Sequence, residues 1–216
     1  MKRTKNLSLL LALLLFSSVV NSASAQTIKD VFNSPETPIL YLGIDFTLAK
    51  VEDVSATSID IRDRHYPSIN ELIVTDTKKF DLPAAFHKSN IEHDLGIVRK
   101  RNEKINTEEI QTSNSGDYHR LTENNIIRLV NSWDFDGKKG VGLMFVVEGL
   151  SKPNKGAAVW VTLVDMATKK ILITERMEGK TGMALGFRNY WANPMRNIID
   201  NIEKKKYSEW KSKYGG

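Results

Sequence analysis

Residues 140–178 decide the fold: Gly140 to Leu150 (GVGLMFVVEGL), Ala157 to Met166 (AAVWVTLVDM) and Ile171 to Glu178 (ILITERME). These runs are rich in β-branched and aromatic residues. They are separated by Pro153-Asn154-Lys155-Gly156 and Ala167-Thr168-Lys169-Lys170, both short and turn-forming. In the middle run Val159, Val161 and Leu163 alternate with Trp160, Thr162 and Val164, giving one fully apolar face and one partly apolar face. Three consecutive strands joined by tight turns pair antiparallel.

Upstream, Ile39 to Leu48 (ILYLGIDFTL) is apolar nearly throughout, as a buried central strand requires. Residues 51–66 are polar and read as a long loop or strand extension. Pro67 followed by Ser68 and Glu71 has the spacing of a capping box and predicts a helix start, with Ile69, Leu72, Ile73 and Phe80 on one face. Residues 95–105 predict an edge strand whose Arg99, Lys100, Arg101 and Lys104 block unwanted pairing. Residues 106–119 read as loop. A second helix begins at Thr122, with Ile126, Ile127, Leu129, Val130 and Trp133 on its apolar face. A glycine-rich loop, 179–186, precedes a last helix that Asn193-Pro194 would open, carrying Trp191, Met195, Ile198 and Ile202 inward. The expected class is α+β: a mixed sheet of about five strands in the order β-α-β-α-β-β-β-α, with helices packed on it.

The N-terminal 25 residues have a different character. Lys2, Arg3 and Lys5 precede an apolar run, Leu7 to Val20, and Ala23-Ser24-Ala25 supplies the small-x-small pattern that signal peptidase reads. The expectation is a secretory signal peptide over 1–25, a leader over 26–38, one α/β domain over 39–203 and a basic tail or helix end over 204–216. Removing 1–25 takes away three basic residues and no acidic one, so the formal charge falls from +5 to +2. A charge that small argues against nucleic acid as partner. The chain has no cysteine, so it has no disulfide, thiolate metal site or lipid-bearing cysteine. An exported chain held together without disulfides fits a bacterial envelope, periplasmic or secreted.

The element order, together with Leu42-Gly43-Ile44-Asp45-Phe46 and the run Val159 to Leu172, resembles the periplasmic α/β domain of the curli-secretion channel family. It is similar also to the outer-membrane lipoproteins that activate penicillin-binding proteins. This chain departs from both in lacking the lipid-bearing cysteine and any pair of amphipathic transmembrane hairpins, so a pore is not implied. The resemblance implies a non-enzymatic envelope domain that binds another protein or a wall component.

Templates for chemistry fit poorly. Gly179-Lys180-Thr181 lacks the earlier glycine of a phosphate loop, since Thr174 stands there. Ser132 to Gly137 has the start of a calcium loop, but Leu143 occupies the closing carboxylate position. His87, Glu92 and His93 lack helical metal-ligand spacing, and His65 and His119 read as solvated loop residues. Asp45 and Glu148 read as outward-facing or strand-end acids. No cofactor and no metal ligand follow from these residues. Arg188, Asn189 and Tyr190, beside the glycine loop, are of the types that carry binding hot spots and are the candidate partner-binding residues for a protein or glycan. The C-terminal lysines with Tyr207, Trp210 and Tyr214 offer a second contact, with a membrane or wall surface. The alternative is a small-ligand carrier or a hydrolase with its site near 179–191. N-terminal sequencing of exported protein should read Gln26 as the first residue; an intact Met1 on membrane-bound protein would overturn the signal-peptide reading.

Overall fold

The computed structural model describes residues 28–216; the signal peptide expected at 1–25 lies outside the described residues. The described residues form a mixed sheet of seven strands with helices packed on it. Strand β1 (Ile39–Asp45) and the short β2 (Lys50–Glu52) lie end to end along one edge of the long β5 (Val141–Ser151), both parallel to it. Outside them, β3 (Glu92–His93) pairs with β1 and β4 (Gln111–Thr112) with β2, again parallel. On the other side of β5 the chain runs antiparallel through β6 (Gly156–Asp165) and β7 (Lys170–Lys180). Leu163 pairs with Leu143 and Ile173, and Val161 with Phe145 and Glu175, which is the three-strand meander its alternation predicts. Every residue of β5 and β6 is buried, so helices cover both faces.

Helices differ from expectation at three places. Residues 95–105 form a helix, α3 (Gly96–Asn102), because the strand there ends at His93 and the Asp94 carboxylate accepts the Gly96 N–H at 2.8 Å, turning the chain. Its basic residues Arg99 and Lys100 are solvated helix positions, while Ile97 and Val98 are buried. Second, the helix expected to start at Pro67 starts at Ser58. Thr57 caps it by accepting the Asp60 N–H at 3.1 Å. This helix, α1 (residues 58–75), passes through a π-turn at Ile61–His65, where the Tyr66 N–H reaches the Ile61 carbonyl. The wider turn accommodates Pro67, which has no N–H and would press on the carbonyl four residues back. Ser68 donates instead to the His65 carbonyl at 2.8 Å. A short turn of helix, α2 (Leu82–Ala85), follows.

Third, the last helix begins at Phe187, not at Asn193. After α4 (Glu123–Ser132), α5 covers residues 187–214 as Phe187–Asn201, a π-turn at Ile202–Lys206 and Tyr207–Tyr214. Pro194 therefore lies inside it. The helix packs on β7 so closely that a Cβ on Gly179 would stand 2.0 Å from the Pro194 carbonyl oxygen. The basic C-terminal run is helical, with Tyr207 and Trp210 buried and Lys204 and Lys211 exposed. Ahead of β1, Ile28–Asn33 is helical and sets Phe32 edge-on to Tyr207, ring centroids 5.3 Å apart.

Two asparagines finish the outer edge of β1 where β3 stops. Asn70 accepts from the Ile44 N–H at 2.7 Å and donates to its carbonyl at 3.0 Å. Asn102 donates to that carbonyl at 2.9 Å and accepts from the Phe46 N–H at 2.9 Å. They stand in for a neighbouring strand and leave none of these buried backbone groups unpaired. Replacing Gly179 by alanine should lower stability by about 1–3 kcal/mol, because the methyl group meets backbone that cannot turn aside; a denaturant midpoint equal to the parent's would show that β7 and α5 are less tightly joined.

Candidate functional site

The segment 179–191 leaves β7 under tight control. Gly179 is pressed against Pro194. The Lys180 N–H donates to Asn197 Oδ1 at 3.2 Å and the Thr181 N–H to the Lys155 carbonyl at 2.9 Å. Gly179-Lys180 is thus the end of a packed strand. At the far end Gly186 has φ of +79°, a conformation suited to glycine, and its carbonyl accepts the Tyr190 N–H at 3.1 Å. Phe187 stacks on His65 of α1 with centroids 4.2 Å apart. Between these anchors the loop carries Met183 and Leu185, whose side chains are fully exposed.

The three residues singled out from the sequence sit on the first turn of α5. Arg188 is exposed and its Nε donates to Asn189 Oδ1 at 3.3 Å. Asn189 donates to the Leu185 carbonyl at 3.3 Å, tying loop to helix. Tyr190 is half-buried and stands edge-on to the buried Trp191, centroids 4.9 Å apart. Met183 and Leu185 carried no sequence signal beyond their place in a glycine-rich stretch.

The acids Asp45 and Glu148 are not outward-facing: both are fully buried. Asp45 accepts from the Trp133 indole at 3.0 Å, Arg101 Nε at 3.0 Å and the Thr47 N–H at 2.7 Å. Glu148 accepts from the Trp160 indole at 3.3 Å, Arg176 Nε at 2.7 Å and the Leu121 N–H at 2.5 Å. Each carboxylate is occupied by a guanidinium, an indole and a backbone amide, an arrangement that fixes structure. His65, expected in a loop, is in a helix, and burial beside Arg64 holds its pKa below the usual imidazole value. Among the described residues no three His, Asp or Glu side chains converge as a metal site.

A cavity of about 660 Å³ opens where β1 and β5 begin, bounded by Ile39, Val141, His93 and Lys139. Asp94 and Lys138, both in its lining, form an ion pair at 2.8 Å; Lys138 draws the Asp94 carboxyl below its ordinary pKa. Compared with known proteins, the chain matches no family model, and no curated protein is significantly similar to it.

Behind that cavity Lys88 is buried and donates to the carbonyls of Val31 and Ser34. Burial pushes its ammonium down to about 8, with Glu36 opposing. The unfolded chain, with an ordinary lysine, then holds more protons between about pH 8 and 10.5, so stability rises with pH across that window. Lys138 and Lys206, raised by their carboxylate partners, lose their contribution only above it. Tyr41 and Tyr66, raised by burial, begin to lower stability above about pH 10. The melting temperature should therefore climb from pH 8 to 9.5, and Lys88→Met should flatten that slope; calorimetry showing the same slope in both proteins would refute the assignment.

Proposed function

We propose that this chain is a non-catalytic, exported protein of a bacterial cell envelope that binds a protein partner through the loop 181–186 and the first turn of α5. The observation that carries the reading is the pair Met183 and Leu185, bare on a loop whose two ends are fixed by backbone packing and by the Phe187–His65 stack. Two large aliphatic side chains held in water give a partner apolar area to bury on binding. A pre-set loop loses little entropy on binding. Arg188 adds an exposed guanidinium at the rim, and Asn189 holds the loop to the helix.

A protein suits this surface better than a glycan. Sugar recognition uses open aromatic faces, but here Phe187 is stacked on His65 and Tyr190 leans on Trp191. The signal-like residues 1–25 support export. The resemblance of residues 39–203 to periplasmic domains of the curli-secretion channel family and to activators of penicillin-binding proteins supports an envelope setting. The buried carboxylates Asp45 and Glu148 are already committed to arginine and indole partners, which supports a binding role over a hydrolytic one.

Leu185→Ser combined with Arg188→Ala should leave the thermal melt close to the parent's, because both side chains lie in solvent. The same pair should weaken capture of a partner from envelope extract by about tenfold or more, each truncated hot-spot residue costing about 1–2 kcal/mol. Undiminished capture by a normally folded double variant would move recognition to another surface.

A further inference from the structure

Strand β7 pairs with β6 on one side; among the described residues no strand lies on its other edge. A groove of about 490 Å³ borders residues 170–174 in unbroken succession. Side chains of a strand alternate between its two faces. Five consecutive residues can border one groove only if it runs along the strand's edge, at the level of the backbone. Its walls come from Ile127 of α4, left 39% exposed on an otherwise buried apolar stripe, and from Lys213 and Tyr214 at the end of α5. Within β7, Leu172 is the extra residue of a bulge and faces no residue of β6.

The groove is cationic. Lys169, Lys170 and Lys213 line it against one acid, Glu123. Lys169 leans on the Asn131 carbonyl, and Lys213 lies over the Tyr214 ring, so the positive rim is held in place. Lysines on a sheet edge discourage pairing with a second copy, since both copies would bring the same charges to one groove. A strand of opposite charge meets no such repulsion.

We infer that this edge is a docking site for an extended, acidic segment of a partner protein, which adds to the sheet as a strand beside β7. Backbone hydrogen bonds supply the pairing, alternate apolar residues rest against Ile127 and Leu172, and carboxylates meet Lys170 and Lys213. This surface is separate from the loop 181–186 and does not rest on that loop's role.

The test is a titration of the purified protein with three nine-residue peptides: one alternating valine and glutamate, one alternating valine and lysine, and the glutamate peptide with a central proline. Binding is followed by anisotropy and by amide shifts. The expected result is saturable binding of the glutamate peptide with shifts centred on 170–174, at least about tenfold weaker binding of the lysine and proline peptides, and affinity that falls with added salt. Lys170→Glu with Lys213→Glu should reverse the preference between the charged peptides. Should that variant misfold, the salt dependence and the proline peptide still decide. No binding at millimolar peptide, equal binding of the lysine peptide, shifts confined to 181–190, or a dimer closed through β7 would each overturn the proposal.

Discussion

The structure depends on how β5 is flanked. One of its edges is too long for a single neighbour, so β1 and β2 share it, with residues 46–49 between them. β1 ends with Asp45 opposite Val146, and β2 starts with Lys50 opposite Gly149. In that interval β5 carries its bulge toward β6, and the extra residue is Glu148. A break in one strand therefore faces a bulge in the next, and a buried carboxylate sits at each. A bulge re-aims the side chain it carries, and here it delivers Glu148 to Trp160, Arg176 and Leu121. Asp45 holds Thr47, Arg101 and Trp133 on its own side of the break. Removing one partner of such a pair leaves a buried charge uncompensated, at about 3–5 kcal/mol. These acids fix register where the ladder is weakest.

The same break explains where the sheet is closed by side chains. Beyond Tyr41, β1 has lost β3, and Asn70 from α1 and Asn102 from α3 take over its edge. The part of α1 from Pro67 onward, with Asn70, is legible from its local pattern; its first turns and the whole of α3 are not. Arg99, Lys100 and Arg101 look like edge-strand charges until Arg101 is seen to reach Asp45 across the sheet. The start of α1 has a signal of its own: Thr57 with Asp60 has capping-box spacing, ten residues before Pro67. Prolines inside helices hide starts in the same way at Pro194, where the accommodating residue, Gly179, lies on another element. By contrast β5, β6 and β7 were legible because strand alternation and turn chemistry are local.

The candidate site divides along the same line. Residue type pointed to Arg188, Asn189 and Tyr190, since hot-spot chemistry belongs to the side chain. Exposure does not, and Met183 and Leu185 are distinguished only by a loop that holds them off the surface. Ile127 makes the complementary case. It fits the apolar stripe of α4, yet it is left partly bare because the sheet ends at β7 and no further strand reaches it among the described residues.

Why open surface lies at the ends and edge of this fold follows from the core. In open α/β sheets ligands commonly enter at the carboxyl ends of parallel strands. Here the carboxyl end of β1 is filled by the Asp45 network and by the Phe46 ring stacked on Tyr66, centroids 3.9 Å apart. Both faces of β5 and β6 are covered along their whole length. On a sheet covered in this way, the places left open to another molecule include the cavity at the start of β1 and β5, the loop that leaves β7, and the outer edge of β7. In the cavity's lining Asp94 and Lys138 are already paired with each other, so neither charge is free for a ligand without breaking that contact. The loop and the edge require no such rupture. Both belong to β7 and the chain that leaves it, the outer strand of the meander, which also supplies Arg176 to the bulge residue Glu148.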